Sequence, residues 1–412
     1  MLRFISKGWK SILGGILIGM TANWGTAQEN SELQQLRSRL SVLENEVQQL
    51  KKGGGGAGGL QLPNAESLKL TGDLRLRYEH GKRDNGGVSE TRNRFRTRFR
   101  LGLTWQPGED WEIAAGLATG SDDPTSTNDT WSENRVFETG DLRLDYAYVT
   151  YYFLKEKKQG GEVETIAAIG GQQKNPYVHS GLLMWSDDVR PAGLTLKLQD
   201  GPVFLTMGSY VAWYKSWGQG ATPMLYAGQA GIKFPSLGKK SGTLALAYYH
   251  FDNQLEPVTG NPDYSYQVLN AYADFPITTG PLALTLFGEW DYNLAADGNP
   301  GQGILGGTID PEANNQAWAA GVSAKVGKWQ VKTAYVYTEA DSLYEEIKNS
   351  DFGSTAGMPA TDVEGYTARL RYYVSKRFSI DGTMYRVKRI DGGGTNNKDD
   401  AIVYQLNFIY KF

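Results

Sequence analysis

TRNRFRTRFRLGLTW, residues 91–105, sets Arg92, Arg94, Arg96, Arg98 and Arg100 in alternation with Asn93, Phe95, Thr97, Phe99 and Leu101, and Leu103 and Trp105 continue the second series. A strand sends successive side chains to opposite faces, so here one face is guanidinium and the other aromatic or aliphatic. Wound as a helix, the stretch would scatter arginine around the whole cylinder and leave no apolar face. It therefore predicts a strand between two unlike surroundings.

The same period-2 alternation, broken by turn-formers, runs from about residue 67 to the end. It predicts sixteen strands, near 67–79, 91–105, 111–120, 140–153, 164–172, 191–199, 202–214, 223–234, 243–252, 264–275, 282–293, 316–326, 329–338, 362–374, 378–389 and 400–412. Connections after odd strands are mostly long, as at Ser121 to Thr139, Gln173 to Arg190, Leu294 to Asn315 and Glu339 to Thr361. Those after even strands are mostly short, as at Gln106 to Asp110, Asp200 and Gly201, Gly327 and Lys328, and Ser375 to Arg377. A soluble sandwich has no reason to sort loops by parity, whereas an outer-membrane barrel has short periplasmic turns and long external loops. The fold class expected is all-β: a transmembrane antiparallel barrel of about sixteen strands, residues 67–412, preceded by a short coiled-coil helix.

Lipid decides which face points where. An arginine near the bilayer midplane costs about 2–4 kcal/mol, so five in hydrocarbon would cost on the order of 10 kcal/mol or more. The arginines are expected inside, in water. Phe95, Phe99, Leu101, Leu103 and Trp105 then face acyl chains, as do Leu142, Leu144, Tyr146 and Tyr148, and Leu282, Leu284, Leu286, Trp290 and Tyr292. Trp105, Trp111, Tyr152, Trp213, Trp329, Tyr337 and Tyr372 lie near strand ends, where barrels carry aromatic girdles.

Composition agrees and excludes. Outside the first 25 residues no run of about 20 apolar residues exists, so helical transporters are ruled out. Glycine numbers 51, beside 24 tyrosines and 11 tryptophans, a mixture suited to sheets and turns. A net charge of -3, from 42 basic and 45 acidic residues, argues against nucleic acid as a partner. With no cysteine there are no disulfides, thiolate nucleophiles or thiolate metal sites.

The N-terminal region reads as three parts. Arg3, Lys7 and Lys10 precede the apolar stretch Ile12 to Met20 and small residues at Gly25 and Ala27, the pattern of a signal peptide over 1–27. An uncleaved anchor is the alternative, though its apolar core is short for a bilayer. In residues 28–52, Leu33, Leu36, Leu40, Leu43, Val47 and Leu50 form a heptad seam, about 27 Å as a helix. Such a length is marginal alone and favours self-association over a helix lying on the protein's own surface. The glycine-rich residues 53–66 form a flexible linker.

The last segment, AIVYQLNFIYKF, aligns Ile402, Tyr404, Leu406, Phe408, Tyr410 and Phe412 on one face and ends the chain on phenylalanine. With signal pattern, seam, sixteen strands and terminal aromatic, the sequence resembles Gram-negative outer-membrane porins, the Putative porin family. The resemblance implies location in the outer membrane with the N-terminal segment periplasmic, and contact with outer-membrane lipid. It implies that Tyr410 and Phe412 carry the signal read by the barrel-assembly machinery, and a homo-oligomer, a trimer in the first instance. It names no solute.

Candidate functional residues follow from charge. Arg75, Arg77, Arg92, Arg94, Arg96, Arg98, Arg100, Arg369 and Arg371 come together when the first and last strands meet in a closed barrel, forming a basic pore wall. Asp73, Asp145, Asp187, Asp188, Glu289 and Asp291 are the acidic lumen or constriction candidates, with the loop 173–190 the one expected to fold inward. Rings of either charge tune ion selectivity. The bland alternative is solvation and mutual ion pairing, since exposed pairs contribute little.

An enzyme is not expected. His80, His179 and His250 lack ligand spacing, no nucleophile-base arrangement is visible, and no cofactor or metal is called for. Asp391 with Asp399 and Asp400, or Asp297 with Asp310, show no calcium-loop pattern and read as solvated loops. The leading expectation is a passive diffusion channel for ions and small hydrophilic solutes, preferring anions. The alternative is a structural or adhesive barrel with a plugged lumen and ligand-binding external loops.

Overall fold

The computed structural model describes residues 67–157, 163–218, 220–238, 240–252, 265–298, 303–305, 310–392 and 399–412. The signal peptide, the seam from Leu33 to Leu50 and the linker lie outside these residues.

The chain forms β1 (Lys69–Asn85), β2 (Val88–Trp105), β3 (Trp111–Thr119), a two-residue β4 (Asp129–Thr130), β5 (Leu142–Lys157), β6 (Val163–Gln172), β7 (Ala192–Asp200), β8 (Val203–Val211) and β9 (Met224–Phe234). It continues with β10 (Gly242–Asp252), β11 (Gln267–Thr279), β12 (Leu282–Asn293), β13 (Gln316–Val326), β14 (Trp329–Thr338), β15 (Val363–Tyr373), β16 (Phe378–Arg389) and β17 (Asp400–Lys411). Setting aside β4, each strand pairs antiparallel with its sequence neighbours, and β17 pairs with β1. That closes a sixteen-stranded barrel and leaves no sheet edge, as a lipid environment requires.

Loop lengths alternate as expected, with one difference. The first outer connection is only Gly86 and Gly87, because β1 and β2 extend until Asn85 faces Val88. Both glycines take positive φ, 60° and 86°, the requirement of a tight hairpin matched to strand twist.

Burial is inverted relative to a soluble protein. On β1, Leu76 and Tyr78 are 42% and 38% exposed, whereas Arg75, Arg77 and Glu79 are 8%, 5% and 0% exposed. β17 repeats the pattern: Tyr404, Leu406, Phe408 and Tyr410 are exposed while Gln405 and Asn407 are buried. An apolar band of this extent has no place in water and fits hydrocarbon. Aromatic pairs mark its rims, including Trp111 with Tyr151 at 4.7 Å and Trp329 with Tyr372 at 4.6 Å.

β5 departs from the sequence expectation. Leu142 and Leu144 face outward, but Tyr146 is buried, paired with Gly116. Asp145 is a bulge, since the register skips between Gly116 and Leu117. One extra residue flips the alternation, so Tyr146, and Tyr148 two residues on, turn inward.

The interior is divided. The loop 173–191 folds into the barrel, burying Tyr177, Leu183, Met184 and Trp185, and the loop 339–362 follows with Leu343, Tyr344 and Phe352. Trp185 packs 5.9 Å from Tyr177 and 5.6 Å from Tyr249. The loops are stitched together by Ser186 N donating to Ile347 O at 2.9 Å and Asn349 Nδ2 to Gly181 O at 2.6 Å. An apolar cluster thus fills the side lined by β8 to β14 and continues through Val363, Tyr385, Val387, Ala401 and Val403 onto the long-loop ends of β15 to β17, beside the arginine-lined space.

Candidate functional site

Register assembles the basic side. Gln330, Arg371, Asp381, Asn407, Arg77 and Arg96 stand in one row across β14, β15, β16, β17, β1 and β2. A second row over the same strands runs Lys332, Arg369, Thr383, Gln405, Glu79 and Arg94. Nearer the short-turn end, Arg75 opposes Arg98 and Asp73 opposes Arg100. Closure of β17 onto β1 is what places Arg369 and Arg371 beside the arginines of β1 and β2.

A cavity of about 370 Å³ lies between this wall and the inward loops. Arg75, Arg77, Arg96, Arg98, Arg100, Arg369 and Arg371 line it, with Lys332 and Lys411. Facing them are Asp187 and Asp188 of the loop 173–191 and Asp351 of the loop 339–362, and Asp381 stands among the arginines. Nine cations thus meet four carboxylates.

Partners sort the arginines. Asp73 binds Arg98 and Arg100, each at 2.7 Å, and Arg100 also reaches Asp188 at 3.1 Å. Arg371 donates to Asp381 at 2.9 Å, and Arg77 donates to Asn407 at 2.7 Å and meets Asp351 at 3.4 Å. Arg92 and Arg94 stand apart from the cavity and clamp Glu79 at 3.2 and 2.5 Å. Among the described residues, Arg75, Arg96, Arg369 and Lys332 have no carboxylate within ion-pair distance. Arg75 donates to Asn128 Oδ1 and Arg96 to Ser126 Oγ at 3.5 Å.

The remaining acidic candidates serve the loop. Asp145 holds Arg190 at 3.2 Å. Glu289 and Asp291 face inward behind the loop, away from the cavity: Glu289 accepts from Ser180 N at 2.8 Å, and Asn270 Nδ2 donates to both at 3.0 and 2.7 Å. Tyr410 and Phe412 point outward. The Phe412 ring stacks 6.3 Å from Phe99 and covers Gly72, where a Cβ would meet it at 2.5 Å. The loop aspartates have structural partners: Asp399 accepts from Gly86 N, Asp310 from Glu312 N, and Asp400 meets Arg386 at 3.3 Å.

Lys332, Lys411, Asp351 and Asp381 were not among the sequence candidates. Lys332, Lys411 and Asp381 sit on inward strand positions, which the alternation itself marks. Asp351 lies in a loop, and no periodicity reveals where a loop goes. Desolvation alone would raise the Asp351 carboxyl, but Arg77, Arg75 and Arg96 outweigh it and hold it below the usual carboxylate range. In the same loop, burial pushes the Lys348 amine down to about 8, although Glu345 opposes the shift.

The barrel is similar to OprB of Pseudomonas putida in its high-pH structure, with a TM-score of 0.54 and 14% identity over 84% of this chain and 94% of that one. OmpF of Salmonella typhi, in complex with daunomycin, gives a TM-score of 0.50 and 12% identity over 84% of this chain and 97% of that one. At such identities the likeness is one of fold. No curated protein matches the chain in sequence. The family model described as "Putative porin" matches residues 83–289, half of the chain, and the chain belongs to that family.

Proposed function

We propose that this outer-membrane channel passes small hydrophilic solutes passively and favours anions. The excess of nine lining cations over the four lining carboxylates and Asp73, which pairs with Arg98 and Arg100, carries the reading. In a narrow space with low-dielectric walls, such an excess raises the local concentration of counter-ions. Among the described residues, Arg75, Arg96, Arg369 and Lys332 form no ion pair with the facing carboxylates, so the excess is not neutralised pair by pair within the wall. The test is the reversal potential in planar bilayers under a potassium chloride gradient. The folded chain gives a chloride-preferring potential, and Arg75→Gln, Arg96→Gln and Arg369→Gln each move it toward zero. An unchanged potential in all three refutes the proposal.

The two inward loops favour a second reading, a plugged barrel with a structural or adhesive role. Single-channel conductance separates the two, since a plugged barrel is silent. On either reading the residue 28–52 seam joins copies in the periplasm, and Tyr410 and Phe412 serve the barrel-assembly machinery. No reacting group is needed, so no enzymatic activity is assigned.

A further inference from the structure

Resting on the anion-channel reading, we infer that Arg75 and Arg96 form a saturable binding site for a divalent tetrahedral oxyanion, either a free sulfate or phosphate ion or a small solute ending in a phosphate. Three observations carry it. Arg75 opposes Arg98 and Arg96 opposes Arg77, and like charges directly opposite are unfavourable in a sheet. Arg77 and Arg98 have carboxylates, whereas Arg75 and Arg96 have only the neutral oxygens of Asn128 and Ser126. Finally, Arg75 is more than nine-tenths buried, and the Nε atoms of both Arg75 and Arg96 are buried with no hydrogen-bond acceptor.

A buried cationic N–H without an acceptor is costly, and two of them on one cavity wall call for an anion. Guanidinium groups present paired N–H forks that match such oxygens. The donors arrive from two strands, and Ser350 and Tyr385 line the same cavity. A tetrahedral group offers acceptors in every direction, unlike a planar carboxylate. Charge agrees: two guanidinium groups, neither of them in an ion pair among the described residues, match one dianion. Asp351, held 3.4 Å from Arg77, is the tethered competitor that keeps the site from being stronger.

The experiment titrates inorganic sulfate, and separately glycerol phosphate, against chloride current through the full-length channel at constant ionic strength. The site predicts a saturating block. Arg96→Gln raises the half-blocking concentration at least tenfold, and Asp351→Asn, a loop change that leaves the barrel wall intact, lowers it severalfold. Block by both probes shows that the oxyanion group alone is recognised; block by one shows which source the site takes. If neither probe blocks a chloride-preferring channel, or both variants keep the parent's curve, the site is refuted and the anion-channel reading stands. Loss of chloride preference itself would refute the reading beneath.

Discussion

Arg77 on β1 stands directly across from Arg96 on β2, and only Arg77 has a carboxylate, Asp351 at 3.4 Å. Opposed like charges cost about 0.2–1 kcal/mol, so Arg96→Gln leaves the barrel's melting temperature unchanged or slightly higher. Arg98→Gln behaves oppositely, because it strips Asp73 of one of its two partners. Losing such a charged hydrogen bond costs about 1.5–3 kcal/mol. The temperature at which the folded band disappears on unboiled gels separates the two variants.

The bulge at Asp145 makes a packing prediction. A Cβ on Gly116 would lie 2.4 Å from the Tyr146 ring. Gly116→Ala therefore costs about 1–3 kcal/mol of overpacking strain. Combined with Tyr146→Leu, it costs less than the two single changes together by about 1 kcal/mol. Strict additivity in a denaturation cycle would show that the ring does not occupy that space.

Tyr146 also shows where sequence reading ends. The arginine and aromatic alternation at 91–105 located β2 to within three residues and assigned its faces, because lipid and water impose opposite preferences every second residue. A bulge changes phase through one residue with no compositional mark, so Tyr146 and Tyr148 were placed on the wrong face. The loop 173–190 is expected to turn inward because it sets Asp187 and Asp188 beside Trp185 and Arg190. Its partner, the loop 339–362, gave no such sign, since Leu343 and Phe352 have no periodicity to interpret. Strand position fixes Glu289 and Asp291 as loop anchors, whereas Asp351 reaches the arginines through the path of a loop, which no strand alternation encodes.

Lys348 makes the loop 339–362 sensitive to alkaline pH. Its amine is lowered to about 8 by burial, against about 10.4 in an unfolded chain. Between these values the released loop binds more protons than the packed one, so packing strengthens as pH rises through that window. The burden below pH 8 is on the order of 3 kcal/mol. Proteolysis of the loop, taken as the ratio of parent to Lys348→Met at each pH, falls toward one between pH 8 and 10. A ratio independent of pH would contradict the burial of a charged amine.

Trp185 anchors the other inward loop. It is 1% exposed, between Tyr177 and Tyr249, so Trp185→Ala removes about 3–5 kcal/mol of packing from a loop outside the barrel's hydrogen-bonded wall. The barrel still folds, single-channel conductance rises, and open-state noise increases. A silent or unaltered channel would place the narrow point elsewhere.

The most direct measurement concerns two adjacent residues of β15. The chain has no cysteine, so Arg369→Cys and Leu370→Cys give single reporters, one lining the cavity and one 49% exposed on the outside. In lipid vesicles, a charged thiol reagent is expected to modify position 369 and alter conductance, while a spin label at 370 responds to oxygen and not to a water-soluble relaxant. Equal reactivity at both positions, or a hydrocarbon signature at 369, would contradict a wet, charged lumen inside an apolar wall.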